Sequence, residues 1–539
     1  MKRWVGVLAA VALACAAGAV AETRAPRPAP TLTKETSPWW AHVAVLASSD
    51  MQGRLTGSPG YQKAADYVAA RFHDYGLKPG GTDGYFQPVD FEVQVVDQAR
   101  SSIVLTPPGE GADGAPVTGA DLMIMSPGVQ QPADLKAQLV FVGYGVHLPQ
   151  AGHDDFAGLD LRGKVAVLIR GGPDDLSGRQ KAFASAEELA PLLEARGALG
   201  LISILTPGQQ DAPWARSMAL GAQPGLYLSD PALRRFHGAF FSAQMNPDRA
   251  ELLFAGSEHS FAELAALAET GLPLPAATLK TGLEAHVVVT TGKVTSPNVV
   301  GVLPGSDPTL APEAVVLSAH LDHLGTGAPD SGADGIFHGA MDNAAGVASM
   351  LEIARQLQHQ HARPKRSIIF LALCGEEKGL LGSRYFVGRP SVFAGHIVAD
   401  INIDMFLPIV PLTRLIAYGD SETSLGELAR TVAGEHGIEI VADPAPSRFI
   451  FIRSDQYAFI RTGVPALMFE FAGASGSPEE RTLTDWRFLR YHAQQDDLFQ
   501  PVDLAAAEAY DRFVQDMVLR VSDAPTPPSW VEGSLYKGR

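Results

Sequence analysis

The chain has 539 residues, of which 46% are hydrophobic and 19% are charged, so wholesale disorder is excluded. At about 150 residues per domain, this length allows roughly three domains, or one large domain with an insertion. The formal net charge of −17 argues against a nucleic-acid partner and against binding to a membrane through a polybasic surface. An acidic excess of this kind is compatible with carboxylates that hold a cation.

The first 21 residues have the layout of a secretory signal. Lys2 and Arg3 precede a run rich in Ala, Val and Leu, and Ala19-Val20-Ala21 forms an A-x-A cleavage site before Glu22. We therefore expect cleavage near Ala21 and export to the periplasm or the extracellular space. A membrane anchor and lipidation at Cys15 are the alternatives, although the residues before Cys15 match a lipoprotein box poorly.

After this segment, no stretch of the chain reaches the roughly 20 apolar residues that a membrane span needs. The mature chain would keep one cysteine, Cys374, so it has no intramolecular disulfide. Because Cys374 ends an apolar run, we expect a buried packing residue rather than a reactive thiol.

The first half of the chain predicts a helix followed by a β-rich region. Tyr61, Ala64, Val68 and Phe72 recur at helical spacing after Pro59-Gly60. Between about 130 and 290, short apolar runs at 139–146, 163–170 and 199–205 flank a helical stretch at 181–196. This texture predicts a separate small β-rich module.

From residue 298 onwards, strand and helix patterns alternate. Apolar runs at 314–321, 367–374, 397–405 and 464–471 predict strands, and 343–360 predicts a helix with one apolar face. Nearly continuous apolar strands separated by helices indicate an α/β fold with a mostly parallel, mixed sheet covered by helices on both faces. Ligands bind such sheets beyond the carboxyl ends of the strands.

Residues that can bind metal lie near each of these strand ends or at the start of the following helix. They are His320, Asp342, Glu376, Glu377 and Asp404, and His492 lies further along the chain. Mixed histidine and carboxylate ligands favour zinc or a similar divalent ion over magnesium or calcium. A lone aspartate at a helix start is suited to bridge two ions, and an aspartate two residues after a histidine can fix the histidine tautomer.

These residues resemble the ordered ligand motifs of the zinc-dependent M28 peptidases, which include bacterial aminopeptidases and glutamate carboxypeptidases. The motifs are Ala319-His-Leu-Asp-His323, Met341-Asp-Asn-Ala-Ala-Gly346, Gly375-Glu-Glu377, Asn402-Ile-Asp-Met405 and Tyr491-His492. The segment Gly53–Gly60 is similar to the beginning of the family's domain. The middle module resembles a protease-associated (PA) domain, most clearly at Asp154–Lys164.

The resemblance implies two zinc ions per chain. It implies that Asp342 bridges the ions, that His320 and Asp404 complete one site, and that Glu377 and His492 complete the other. Glu376 would then act as the general base. Asp322 would orient His320, and Tyr491 would donate its hydroxyl to the tetrahedral oxyanion or serve as packing.

The resemblance also implies a domain plan. The predicted segments are a signal peptide (1–21), a flexible lead-in (22–38), the N-terminal part of the peptidase domain (39–130), a PA-like insertion (131–290), the catalytic part of the peptidase domain (291–525) and a C-terminal tail (526–539).

The implied function is that of an exported di-zinc exopeptidase, an aminopeptidase, acting on peptides or proteins. A carboxypeptidase of the glutamate-carboxypeptidase kind is the runner-up. A basic cluster in the pocket would favour it, whereas an acidic residue such as Glu470 facing the pocket would favour recognition of a free α-amine. Two further candidates are a glutaminyl cyclase with one zinc ion and a non-catalytic binding protein on a peptidase scaffold. The sequence does not predict the oligomeric state.

Overall fold

The computed structural model describes residues 32–109, 114–125, 131–186, 189–206, 209–210, 213–234, 238–328, 334–389 and 395–537. The predicted signal peptide, its cleavage site near Ala21 and Cys15 lie outside these residues, as does most of the predicted lead-in. Within the described ranges, the longest apolar helices fall short of what is needed to cross a membrane.

The secondary structure alternates between strands and helices along the described chain. The strands are β1 (Lys78–Pro79), β2 (Phe86–Val96), β3 (Ser102–Thr106), β4 (Ala115–Val117), β5 (Leu122–Ile124), β6 (Asp134–Phe141), β7 (His147–Leu148), β8 (His153–Asp154), β9 (Lys164–Ile169), β10 (Gly200–Ile204), β11 (Gly225–Leu228), β12 (Phe241–Met245), β13 (Ala277–His286), β14 (Val289–Leu303), β15 (Glu313–His320), β16 (Ser367–Leu373), β17 (His396–Asn402), β18 (Arg414–Tyr418), β19 (Glu439–Val441) and β20 (Ala466–Phe471). The α-helices are α1 (Pro38–Leu46), α2 (Pro59–Asp74), α3 (Gly178–Ala186), α4 (Leu189–Ala195), α5 (Trp214–Gly221), α6 (Glu251–Phe254), α7 (Phe261–Glu269), α8 (Ala345–His359), α9 (Leu381–Gly388), α10 (Leu425–Glu435), α11 (Gln456–Arg461), α12 (Pro478–Arg490) and α13 (Leu504–Asp523).

A ten-stranded mixed sheet organises what we call the main unit. Its order is β11-β2-β14-β16-β15-β17-β20-β18-β19, with β1 paired to β14. The central strands β16, β15, β17 and β20 are parallel to one another, whereas β2, β11 and β14 add antiparallel strands at one side. The predicted mixed α/β fold is confirmed, and its parallel strands form the middle of the sheet.

Helices cover both faces of this sheet because each presents an apolar stripe to it. On one face, α8 contacts β15 and α2 contacts β14. Val347, Met350, Leu351, Ala354 and Leu357 of α8 are fully buried, as their helical spacing predicts. Burying a large aliphatic side chain contributes roughly 1.5–3 kcal/mol relative to leaving it exposed. On the other face, α11 contacts β17 and β20, and α9 contacts β14.

A separate eight-stranded sheet defines the second unit, which lies within residues 102–286. Its order is β4-β3-β13-β6-β9-β10-β12-β5. The predicted insertion at 131–290 therefore begins too late, because β3, β4 and β5 already belong to this sheet. The predicted insertion also includes β11, which is not a strand of the second sheet and pairs instead with β2 of the main sheet. Hydrogen-bond partners far apart in the chain decide these memberships, and the local apolar pattern does not reveal them.

The two ends of the described chain are held in place by contacts with distant residues. In the predicted flexible lead-in, Lys34 Nζ donates to the backbone oxygens of Leu498 at 2.9 Å and of Gln500 at 3.1 Å. In the predicted C-terminal tail, Tyr536 is 1% exposed, and its ring packs against Phe183 of the second unit and Phe451 of the main unit. The described part of the tail therefore joins the two units.

Candidate metal centre

The predicted metal ligands meet at one edge of the main sheet. His320 ends β15, Glu377 follows β16 and Asp404 follows β17, and these three neighbouring strands run parallel. Their carboxyl ends therefore open at the same edge, where ligands bind in sheets of this type. Asp342 comes just before α8, and His492 follows α12.

His320, Asp342 and Asp404 form one group. His320 Nε2 lies 3.1 Å from Asp404 Oδ1 and 3.3 Å from Asp342 Oδ1. The three residues are at most 9% exposed, and their potential ligand atoms lie within 4.8 Å of one another. This is the first of the two predicted sites.

Asp342, Glu377 and His492 form a second group beside it. His492 Nε2 lies 3.3 Å from Asp342 Oδ2 and 3.1 Å from Glu377 Oε2. Asp342 thus turns Oδ1 towards the first group and Oδ2 towards the second. A carboxylate in this position can bridge two ions about 3.5–4 Å apart.

His323 is a member of the cluster that the sequence reasoning missed. It is fully buried, and its Nδ1 lies 2.8 Å from Glu377 Oε1 and 3.9 Å from Asp342 Oδ2. The ligand atoms of His323, Asp342 and Glu377 also lie within 4.8 Å of one another. His323 therefore holds the Glu377 carboxylate from the side opposite His492. The signal was present in the His-Leu-Asp-His spacing, three residues after His320.

The structure corrects the way in which Asp322 supports His320. His320 Nδ1 lies 3.1 Å from the backbone oxygen of Asp322 but 4.0 Å from its carboxylate Oδ1, which is too far for a hydrogen bond. The Asp322 carboxylate instead accepts from the Thr56 hydroxyl at 2.9 Å and from the backbone N–H of Glu376 at 3.1 Å. Asp322 therefore fixes the His320 ring through its main chain and the Glu376 backbone through its side chain.

Two further buried residues outside the predicted set hold the loops that carry the ligands. Asp496 accepts from the backbone N–H groups of Met341 at 2.9 Å and Asp342 at 2.9 Å, which fixes the segment before α8. Arg54 is 1% exposed, and its guanidinium donates to backbone oxygens at both Leu321 and Gly339. Because a buried guanidinium needs several acceptors, Arg54 connects the His320 and Asp342 segments.

The electrostatics and unsatisfied atoms of the cluster fit a divalent metal. Burial opposes the ionisation of Asp342, but His323, His320 and His492 outweigh it and hold the Asp342 pKa well below its usual range. Burial likewise opposes a charged His492, yet Glu377 and Asp342 raise its pKa to about 10. Asp342 Oδ2 and His323 Nε2 are buried and make no hydrogen bond. A cation would satisfy these lone pairs and replace the histidine protons, as metal binding requires.

Glu376 and Tyr491 line the same pocket as four of the predicted ligands, His320, Asp342, Asp404 and His492. Burial raises the pKa of Glu376 well above its usual range. Burial also raises the pKa of Tyr491 well above its usual range, so its hydroxyl keeps its proton and is able to donate a hydrogen bond. The Tyr491 ring stacks on His492 with 3.9 Å between ring centroids.

The second unit reaches the loops that carry the ligands. Arg216 in α5 donates to the backbone oxygens of Phe488 at 3.1 Å, Leu489 at 3.3 Å and Tyr491 at 3.0 Å. Gln223 donates to the Leu324 oxygen at 2.8 Å and accepts from Lys378 Nζ at 2.9 Å. The contacts at Leu324, Lys378 and Tyr491 each lie one residue from His323, Glu377 and His492, respectively.

Comparison with known proteins relates residues 298–518 to metallopeptidases. Peptidase family M28 matches residues 298–518, which contain the five predicted ligands. A probable zinc metalloprotease of Pyrenophora tritici-repentis is 27% identical over 35% of this chain and 50% of its own length. A probable lipoprotein aminopeptidase, LpqL, of Mycobacterium tuberculosis is 25% identical over 86% of this chain and 81% of its own length. The chain spans half or less of the length of the first curated relatives that it matches.

The fold is similar to that of a solved aminopeptidase from Aneurinibacillus sp. strain AM-1. That structure matches 91% of this chain and 94% of its own chain, with a TM-score of 0.52 and 19% sequence identity. At this identity the likeness concerns the fold alone. The predicted M28 resemblance and the α/β architecture are confirmed, whereas the PA identity of the second unit stays a prediction.

Proposed function

We propose that the chain, whose residues 298–518 match peptidase family M28, is an exported di-zinc exopeptidase that removes N-terminal residues from peptides. The observation that carries the proposal is the position of Asp342, whose two carboxylate oxygens face the two groups of ligands at 3.3 Å each. A bridging carboxylate with two separate sets of partners fits two ions better than one.

In this proposal, His320 and Asp404 would hold one zinc ion, Glu377 and His492 the other, and Asp342 both. Bound zinc would lower the pKa of a coordinated water towards about 7 and polarise the scissile carbonyl. Glu376 accepts the proton of the attacking water and passes it to the leaving amine. Burial raises the pKa of Glu376, which makes its carboxylate a stronger base for the proton of the water.

Two further residues support the reaction without taking part in the proton transfer. Tyr491 donates its hydroxyl to the oxyanion of the tetrahedral intermediate. Asp322 holds the Glu376 main chain, with the backbone N–H at 3.1 Å from its carboxylate, and so fixes where the base stands. The second unit, proposed as a PA-like domain, keeps the Tyr491 loop in place through Arg216.

Each competing function predicts a different observation. A glutaminyl cyclase would hold one zinc ion, so a metal count of one per chain would favour it. A non-catalytic scaffold would have lost ligands or the base, whereas here four of the five proposed ligands line the pocket together with Glu376, and the fifth, Glu377, lies 3.1 Å from His492. Arginines in the pocket favour a carboxypeptidase. This is the second candidate, and the test must distinguish it from an aminopeptidase.

The test combines metal removal with a choice of substrate termini. Purified protein is dialysed against a chelator and then given zinc, and hydrolysis is followed with peptides whose amino or carboxyl terminus is free or blocked. We expect activity to disappear with the metal and to return at about two zinc ions per chain, and we expect loss of cleavage when the amino terminus is acetylated. Activity in metal-free protein would overturn the proposed class, and loss of cleavage only on carboxyl-terminal amidation would make the enzyme a carboxypeptidase.

A further inference from the structure

The pocket beside the metal ligands is lined by an unusual number of arginines for such an acidic protein. Arg448, Arg453 and Arg487 line it together with a single carboxylate beyond the proposed ligands and base, Glu470. The chain as a whole carries a formal charge of −17, and these three arginines face the carboxylates of the proposed centre.

Glu470 is held by protein groups on both of its oxygens. Arg487 donates to Oε1, and the Tyr418 hydroxyl donates to Oε2 at 2.7 Å. Glu470 is 5% exposed, and the Arg487 partner compensates its charge. Glu470 does face the pocket, the position from which a carboxylate would favour a free α-amine, but its two acceptor oxygens are already engaged.

The positive lining continues outwards into the cleft between the two units. A cleft of about 340 Å³ is bordered by Arg170 of the second unit and by Arg448 and Arg453 of the main unit. Among the described residues that line this cleft, there is no aspartate or glutamate, and Gln209 and Gln244 add amide groups. The charges of Arg448 and Arg487 favour the ionised form of Asp443, but Asp443 does not line the cleft.

Arg448 and Arg453 approach the proposed centre from one short segment. Arg453 is exposed and Arg448 is half-buried, and Arg453 Nη2 lies 3.5 Å from the Tyr491 hydroxyl. A planar guanidinium here presents several donors beside the proposed oxyanion site, in a geometry that matches a carboxylate. Positive charge in a cleft also raises the local concentration of an anionic substrate.

We propose that Arg448 and Arg453, with Arg170 at the outer end, bind a carboxylate of the substrate next to the scissile bond, so that the enzyme prefers substrates that carry a carboxylate there. This inference rests on the proposed peptidase function and specifies its substrate class. The carboxylate belongs either to the side chain of an N-terminal Glu or Asp, or to the free carboxyl terminus of a short peptide. Both sources share one chemistry, and the test separates them.

The first arm measures the side-chain source. Fluorogenic amides of Glu, Gln and Leu have blocked carboxyl ends, and Glu and Gln differ by one charge at nearly equal size. We expect kcat/KM for the Glu amide to exceed that for the Gln amide by about tenfold or more, because a charge-assisted pair is at stake. The second arm measures release of the N-terminal residue from short peptides that have a free carboxyl terminus and from their amides, and a similar ratio there would assign the carboxylate to that terminus.

The arginine variants then connect the preference with the residues. We expect Arg453→Gln and Arg448→Gln to move the charged-to-neutral ratio towards one, and Arg453→Lys to keep part of it. The matched control is Arg512→Gln, a surface residue of α13 paired with Glu508 at 3.2 Å, which leaves the ratio unchanged. High salt lowers the ratio in the wild type by screening.

The outcomes separate this inference from the function on which it rests. If Leu and Gln amides are cleaved as fast as the Glu amide, and a free carboxyl terminus gives no advantage, carboxylate recognition is overturned while the peptidase function stands. A ratio that survives in Arg448→Gln/Arg453→Gln also overturns it. If the zinc-loaded protein cleaves none of these substrates, the proposed function itself fails.

Discussion

The main unit and the second unit divide the work of the site in different ways. The five proposed ligands and Glu376 all belong to the main unit, at the carboxyl ends of its strands or beside its helices. The second unit contributes none of these residues, but its Arg216 and Gln223 contact the main chain beside His492 and His323. The proposed ligands and base come from the edge of the main sheet, and contacts from the second unit hold the main chain beside them.

Two neighbouring surfaces of the site also differ in charge. The ligand cluster gathers carboxylates and histidines that stabilise one another's charged forms. The cleft between the units is lined by Arg170, Arg448 and Arg453. In the proposed function, cation binding and substrate selection would therefore belong to neighbouring surfaces of opposite charge, so that each could be changed separately.

The largest expected effect comes from removing the base of the main unit. Glu376→Gln keeps the shape of the side chain but cannot take a proton, so we expect kcat to fall by about 10²–10⁴-fold with zinc content unchanged. Steady-state kinetics and metal analysis of the same preparation check this. Glu508→Gln, at the surface of α13, serves as the matched charge control. Wild-type turnover by Glu376→Gln would remove Glu376 from the mechanism.

A smaller effect is expected from the second unit. Arg216→Ala removes the donors to the main chain at Phe488, Leu489 and Tyr491. Because outer partners of metal ligands typically affect activity or metal affinity by about 10–100-fold, we expect a loss near the lower end, with the Tm little changed.

Arg249→Ala is the matched control for Arg216→Ala, because Arg249 makes an exposed pair with Asp121 in the second unit at 2.8 Å. We expect this control to have wild-type kinetics. If Arg216→Ala also retains wild-type kcat, KM and zinc affinity, the second unit does not position the Tyr491 loop. The contacts from Arg216 would then have no role in activity.

The smallest effect on activity concerns a histidine of the main unit that lies outside the proposed site. Burial lowers the pKa of His42 to about 4, and its two ring nitrogens lie 2.6 Å from the Tyr67 hydroxyl and 3.1 Å from the Tyr75 hydroxyl. The unfolded chain would bind a proton at this histidine below about pH 6.5, whereas the folded chain binds it only near pH 4. Folding stability is therefore lost as the pH falls between these values, by up to about 3 kcal/mol.

His42→Gln should remove this contribution. From pH 7 to pH 4.5, we expect the unfolding free energy of the wild type to fall by more than that of the variant. Urea unfolding at both pH values measures this difference. The comparison cancels pH effects that the two proteins share. His73→Gln, whose side chain is 79% exposed on α2, is the control and should show no such change. A pH-independent difference for His42→Gln would contradict the assignment.

The local pattern of the sequence predicted most elements of the main sheet. The apolar runs at 314–321 and 367–374 correspond to β15 and β16, and the one-sided pattern at 343–360 corresponds to α8. Such signals are readable because a strand buried on both faces is apolar throughout and a surface helix repeats every 3.6 residues. The short strands β3, β4 and β5 carry no local sign of which sheet they join.

The site shows the same division. Residue types at strand ends predicted His320, Asp404 and Glu377 as neighbours, because parallel strands end at one edge. They did not predict that the main chain of Asp322, rather than its carboxylate, contacts His320 Nδ1. They also left out His323, which becomes part of the cluster only because the loop after β15 turns its ring towards Glu377.

By itself, the sequence determined the kinds of ligand, their order along the chain and the sheet edge at which they gather, since periodicity and residue chemistry are local properties. Only the tertiary structure decided which oxygen of Asp342 faces which group, which strands belong to the second unit, and that Arg170 and Arg453 border the same cleft. Those features depend on contacts between residues that lie from tens to hundreds of positions apart, where packing and hydrogen bonding set the geometry and no local pattern records it.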